Sequence, residues 1–225
     1  MPVKKLPRKI FVFRNNAARF LNGLTANEMD QPQNAFVNIH GRIVTVFDQI
    51  KVSDDEVWIV VPESVVERLF YHLDKYLRLG GVRYEEKDLN VYFDPNNDIR
   101  EGHVVPQKAG QLVLTERDLP DDISEEEFTL FRVKSGIPFQ GEDFDEDFLL
   151  NVSMKDYVSF TKGCFLGQEP ISKVYNRSRP SWRLEVKSEE ECLEEERNKM
   201  TSRVRDPETG KTVGFVFVRS TDPAH

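Results

Sequence analysis

Short apolar runs and their spacing set the expected elements. Lys9-Ile10-Phe11-Val12-Phe13 reads as a strand. A short helix follows, with Asn15 or Asn16 as its cap, Ala17, Ala18, Phe20 and Leu21 as apolar contacts, and Gly23 as its end. Ala35-Phe36-Val37-Asn38-Ile39 and Ile43-Val44-Thr45-Val46-Phe47 flank His40-Gly41-Arg42 as a hairpin. Val57 to Val61 makes a third strand that stops at Pro62. Val65, Val66, Leu69, Phe70, Leu73, Tyr76 and Leu77 recur at helical spacing, closed by Gly80-Gly81. Strands are expected at Val82 to Glu85 and Leu89 to Phe93, then a loop from Asp94 to Gly110. Ser124-Glu125-Glu126-Glu127 is a capping box for a helix that runs through Phe128, Phe131 and Val133 and stops before Gly136. Near the C-terminus, Trp182 to Val186 precedes the acid run Glu189 to Glu196. A hairpin turns at Asp206-Pro207-Glu208-Thr209-Gly210 into Val213 to Val218. Strands and helices mix without regular βα alternation, which makes the fold class α+β.

The chain has 225 residues, enough to bury a core without metal or disulfide staples. No apolar run approaches the roughly 20 residues that span a bilayer, so no membrane partner is expected. Its two cysteines, Cys164 and Cys192, exclude a disulfide framework and an all-thiolate zinc site within one chain. They fit a reducing, cytoplasmic setting. The net charge of −8 is uneven: residues 1–20 carry six basic side chains and no acid. The remainder is −14, with 25 basic against 39 acidic residues. Such a surface disfavours direct nucleic-acid binding. The basic start runs straight into a strand with no small-residue cleavage site, so it is not expected to be a targeting peptide. The acid runs Asp121 to Glu127, Glu142 to Asp147 and Glu189 to Glu196 are expected as solvated faces. His40, His72 and His103 share no metal-ligand spacing, and no metal site is expected.

One segment departs from ordinary globular patterning: Phe160-Thr161-Lys162-Gly163-Cys164-Phe165-Leu166-Gly167-Gln168-Glu169. Gly163 and Gly167 bracket Cys164, allowing close approach or a positive φ. Lys162 and Lys173 supply cations that favour a thiolate, the form that attacks electrophiles or binds metal. Gln168 and Glu169 add an amide and a carboxylate suited to the polar edge of a heterocycle. The bland alternative is a glycine-rich turn carrying an inert cysteine. Arg177, Arg179 and Arg183, with Tyr175 and Trp182, form a basic-aromatic cluster open to either a surface or a ligand-contact reading.

Lys162-Gly163-Cys164-Phe165-Leu166-Gly167-Gln168-Glu169 resembles the signature of the YgfZ family, folate-binding proteins linked to iron–sulfur cluster assembly and tRNA modification and related to the aminomethyltransferase (T-protein) of the glycine cleavage system. Ala18 to Asn27, Asn38 to Ile43 and Phe131 to Pro138 resemble further family blocks, in the family's order, over about residues 9–185. The resemblance implies an aminomethyltransferase-like folate-binding fold, with antiparallel sheets flanked by helices. It implies a folate-binding domain over 1–185 with a ferredoxin-like insert at about 45–115. Residues 186–225 would be a short acidic segment and β-hairpin left from a truncated C-terminal barrel.

The function so implied is binding of tetrahydrofolate or a derivative in support of iron–sulfur assembly or repair. Cys164 would be the reactive or ligating group; Lys162, Gly163, Gly167, Gln168, Glu169, Asn151 and Lys173 would surround the ligand. Partners would be a folate-type small molecule and iron–sulfur assembly or client proteins. Where aminomethyltransferases carry an aspartate pair, this chain has Thr45 and Val46, so aminomethyl transfer is not expected. The nearby Asp48 is expected as a solvated carboxylate at a strand end. Asn151 stands where relatives often have a pterin-contacting glutamate. Two alternatives stay open: a folate-dependent one-carbon transferase, and an interaction protein that has lost its ligand.

Overall fold

The structure, a computed structural model, describes residues 2–153 and 156–220. Strands of the first half sort into two antiparallel sheets. β1 (Lys4–Lys5) and β2 (Arg8–Arg14) are followed by α1 (Ala17–Asn22), β3 (Gln33–Val37), β4 (Ile43–Lys51) and β5 (Glu56–Pro62). Then come α2 (Val66–Gly80), β6 (Arg83–Lys87), β7 (Asn90–Asp94), β8 (His103–Pro106) and β9 (Gln111–Thr115). One sheet has the order β3-β4-β5-β2-β6 and the other β1-β7-β9-β8. The segment 45–115 therefore supplies strands to both sheets, alongside the N-terminal strands.

The unbroken apolar run of β2 has a physical reason. Successive side chains point to opposite faces, and both faces are covered. Phe11 and Phe13 join Val57, Ile59 and Val61 beneath α1 and α2, where Leu69 and Leu73 are fully buried. Ile10 and Val12 join Trp58 and Val60 on the other face, against Phe93, Leu112 and Leu114 of the second sheet.

Several local expectations need correction. Asn15 and Asn16 do not cap α1 through their side chains; both have positive φ (70° and 55°), which asparagine tolerates better than most residues. Gly23 ends α1 in right-handed rather than left-handed geometry, with φ −76°. The expected loop from Asp94 to Gly110 contains β8, an edge strand in which only Val105 is buried. Its neighbour β9 is buried throughout but too short to announce itself. The capping box does form: Ser124 Oγ accepts from the Glu127 backbone N–H, and Glu127 accepts from the Ser124 N–H, opening α3 (Glu125–Ser135).

Downstream lie α4 (Leu149–Val152), α5 (Gln168–Arg177), β10 (Trp182–Ser188), α6 (Glu194–Asn198), β11 (Thr201–Arg205) and β12 (Thr212–Arg219). The last three strands make a sheet in the order β10-β12-β11. Its expected turn closes on Asp206, which accepts from the Glu208 backbone N–H and the Thr209 hydroxyl.

This sheet is tied to the rest through Arg132 on α3. The Arg132 guanidinium donates to Asp143 (2.9 Å), Glu142 (2.6 Å) and the Ser202 hydroxyl (3.0 Å), and lies 4.1 Å from the Phe139 ring centroid. Asp143 in turn accepts from the Phe139 N–H and from both hydroxyls of Thr201 and Ser202 on β11. Within the run Glu142 to Asp147, Asp143 departs from the expected solvated face: its side chain is fully buried, whereas Glu142, Asp145 and Glu146 are exposed. Burying its charge is offset only because every lobe of the carboxylate is bonded.

Asp143→Ala is expected to destabilise the protein by about 3–5 kcal/mol in urea unfolding, because it strands a buried guanidinium. Glu142→Ala, at a half-exposed side chain, should cost less than about 1 kcal/mol.

Candidate functional site

β4 pairs with β3 over residues 43–48 but with β5 only from Asp48 onward. Where the strands diverge, the Gln140 side chain completes β4, accepting from the Val46 N–H and donating to the Val44 carbonyl. Val46 packs with the residues around the octapeptide, and Ile50 packs against the second sheet. Asp48 lies between them on the same strand face, at the seam of two apolar cores. It is only 7 % exposed, so the expectation of a solvated strand-end carboxylate fails. The reason is that β4 runs on to Lys51, leaving Asp48 in mid-strand.

Asp48 Oδ1 accepts from the side-chain amides of Gln107 (2.7 Å) and Gln33 (3.2 Å). Burial pushes its carboxyl up, opposed by Arg8 and by these amides. Both glutamines line a cavity of about 580 Å³, together with Ile137, Tyr157, Glu185 and Phe215. Burial, reinforced by Asp48, also raises the Tyr157 phenol. Perturbed titratable groups beside a concave site of this size mark a candidate ligand site. It leaves no local signal in the sequence. Asp48, Gln33, Gln107 and Tyr157 come from four separate segments with no shared motif.

The octapeptide stands behind this cavity. Lys162 is buried, and its ammonium donates to the carbonyls of Thr25 (2.8 Å) and Asn27 (2.7 Å). Asn27 donates onward to the carbonyls of Gln33 (2.9 Å) and Asp156 (3.1 Å), both of which line the cavity. Lys162 therefore anchors the wall, and its pKa is lowered to about 8, chiefly by burial. Gly167 has φ +82°, and a Cβ there would sit 2.3 Å from the Asn38 carbonyl oxygen. It seats the start of α5, a helix that the sequence reading missed, against the hairpin. Gly163 faces open space and lacks a positive φ, so close approach explains only one of the two glycines.

Cys164 is exposed, as are Glu169, in the first turn of α5, and Lys173. Gln168 opens α5 and Asn151 lies in α4, both half-buried. None of these, nor Lys162, Gly163 or Gly167, lines the Asp48 cavity, although Val152 and Ser153 beside Asn151 do. In the basic-aromatic cluster, Tyr175 stacks on Phe160 at 3.5 Å between ring centroids, and Arg219 lies over Trp182. Among the described residues, no three His, Cys, Asp or Glu side chains come together as a metal site. No helix of the described residues is long and apolar enough to cross a membrane.

No family model matches the chain. It is 22% identical over 152 residues to an uncharacterised protein of Haemophilus influenzae, covering 61% of this chain and 52% of that protein. The chain thus spans about half the length of that relative. Its structure superposes on the crystal structure of glycine cleavage system aminomethyltransferase T from Bartonella henselae with a TM-score of 0.70. That match is 12% identical and covers 97% of this chain and 78% of the other. The fold is aminomethyltransferase-like. Within it, the cavity beside Asp48 joins the two N-terminal sheets to the C-terminal one.

Lys162 gives a pH signature. Its folded pKa lies below the ordinary 10.5, so the unfolded chain binds more protons between about pH 8 and 10.5. Stability contributed by this site should therefore rise with pH across that window. Denaturation of the wild type and Lys162→Met at pH 7.5 and pH 10 checks this: the difference should move in the wild type's favour at the higher pH. Glycine substitution separates the two bracketing positions. Gly167→Ala should cost more than about 1 kcal/mol, whereas Gly163→Ala should be neutral or slightly stabilising.

Proposed function

We propose that the chain is a folate-binding accessory protein of iron–sulfur cluster assembly or repair. It takes a tetrahydrofolate-type ligand into the Asp48 cavity and presents Cys164 to a client or assembly protein. The observation that carries the reading is a carboxyl buried beside a ligand-sized cavity in an aminomethyltransferase-like fold. The donor set fits a pterin. Its amino and ring N–H groups need a carboxylate acceptor; Asp48 stands behind the lining residues Gln33 and Gln107, and its Oδ2 takes no hydrogen bond among the described residues. Tyr157 supplies a second polar contact and Ile137 and Phe215 apolar walls. Folate, when bound, supplies one-carbon chemistry; this chain's residues bind and orient it.

Exposure suits Cys164 to a role at a protein interface. A cluster wants about four thiolates or substitutes, so further ligands come from the partner. Gln168, Glu169 and Lys173 flank Cys164 on α5 and its approach, and we assign them to the same contact. Asn151 leads into the cavity wall and is assigned to the folate side. Aminomethyl transfer is not part of this reading. Thr45 is buried, with its hydroxyl on the Val46 carbonyl, and Val46 packs among apolar neighbours.

Calorimetric titration with tetrahydrofolate should show saturable binding that Asp48→Asn weakens more than about tenfold, since a charge-assisted hydrogen bond contributes about 1.5–3 kcal/mol. Absence of binding at millimolar ligand would sink the folate half. Cys164→Ser should fail to restore iron–sulfur enzyme activity in a host lacking its own homologue while leaving folate affinity intact. Full restoration would remove the cysteine from the mechanism.

A further inference from the structure

Most of the basic N-terminal side chains have an acidic partner within the fold. Lys4 pairs with Glu125 (2.6 Å), Lys5 with Asp118 (3.4 Å), Lys9 with Glu86 (2.7 Å), and Arg14 with Glu56 (3.0 Å) and Glu85. Arg19 is exposed. Arg8 differs. Among the described residues its half-buried guanidinium has no carboxylate within 4.0 Å and donates no hydrogen bond, although burial works against its charge. Its place is fixed by the Phe139 ring, 4.9 Å from the guanidinium carbon, which also packs against Arg132. Stacking on a ring face holds a guanidinium and leaves its N–H donors unused.

Arg8 lines a cavity of about 520 Å³ distinct from the one beside Asp48. The chain segment 136–142 contributes to both: Gly136, Ile137 and Pro138 line the Asp48 cavity, and Phe139 to Glu142 line this one. Leu6, Pro7 and Phe128 give it apolar walls. Its other buried cations are taken, Lys4 by Glu125 and Arg132 by Glu142 and Asp143.

We propose that this second cavity binds a small monocarboxylic acid with an apolar body, its carboxylate bidentate on Arg8 and its body against Leu6, Pro7 and Phe128. A planar carboxylate matches the fork of one guanidinium. A phosphate dianion fits worse, because Arg8, whose main compensating charge is the buried Asp48 beyond ion-pair distance, is the half-buried cation of the lining with no carboxylate within 4.0 Å among the described residues, while Glu63 and Glu142 line the same space. The proposal does not depend on the folate reading.

The test is an NMR titration of the full chain with benzoate, with benzamide and inorganic phosphate as separate arms. The Arg8 Nε–H and the amides of Lys5, Leu6, Arg8 and residues 139–142 report binding. Benzoate should shift these signals saturably at millimolar concentration, and benzamide should not. Arg8→Met should weaken benzoate binding at least about tenfold, and Arg8→Lys, which keeps the charge but loses the fork, by less. Thermal melts establish that each variant is folded; if Arg8→Met is not, Arg8→Lys carries the comparison. Equal affinity in the folded variants, equal shifts by benzamide, or tighter binding of phosphate would overturn the proposal. Failure of benzoate with tetrahydrofolate still binding removes this site alone; the converse removes the folate reading alone.

Discussion

The contact between Arg132 and Asp143 decides how the second half of the molecule sits on the first. One guanidinium from α3 and one carboxylate from the following segment are both inaccessible to water, and together they bond to Phe139, Ile137 and two hydroxyls of β11. Such pairs add little net stability over apolar packing of the same shape, but removing either member is costly. Their value here is geometric. The pair fixes the 136–142 segment, which walls both cavities, and holds the C-terminal sheet that closes the Asp48 cavity through Glu185 and Phe215. The site is therefore assembled by a bond that touches no ligand.

The same logic governs the uneven charge. A start of +6 on a chain whose remainder is −14 looks like an arm seeking an anionic partner. Folding satisfies it internally instead. Asp118, Asp121 and Glu125 meet β1, while Glu56, Glu85 and Glu86 meet β2. Most of these pairs are exposed and individually weak, and the strand order itself rests on the backbone ladders. Against so consistent a pairing Arg8 stands out, with no carboxylate within 4.0 Å among the described residues.

What the sequence made legible was local. The hairpin around Gly41, α2 with its closing Gly81, and the capping box of α3 each depend on residues within one turn or one pair of strands. What stayed hidden depends on distant partners. Val105 is the buried residue of β8 and needs β9 to cover it. Asp48 and Asp143 look like ordinary surface acids until the Gln107 amide, 59 residues away, and the Arg132 guanidinium are brought to them. A carboxylate's fate is set by its neighbours, and no periodicity encodes those. The octapeptide was visible for its composition, whereas the cavity it supports was not, because its polar groups are scattered.

The octapeptide itself divides by burial, and the division narrows its function. Lys162 satisfies two carbonyls, Phe165 joins the core, and Gly167 makes room for the Asn38 backbone. Folding alone accounts for those three. It does not account for Gly163, Cys164 and Glu169, which face outward. A loop that needed only to support the cavity would tolerate most residues at those positions. An exposed thiol set between an open glycine and the first turn of a helix is instead accessible to a macromolecular partner, while the cavity lies behind the buried lysine. Cavity wall and thiol-bearing loop are thus joined by hydrogen bonds through Lys162 and Asn27, which tie the backbone at Gln33 and Asp156 to the loop that carries Cys164.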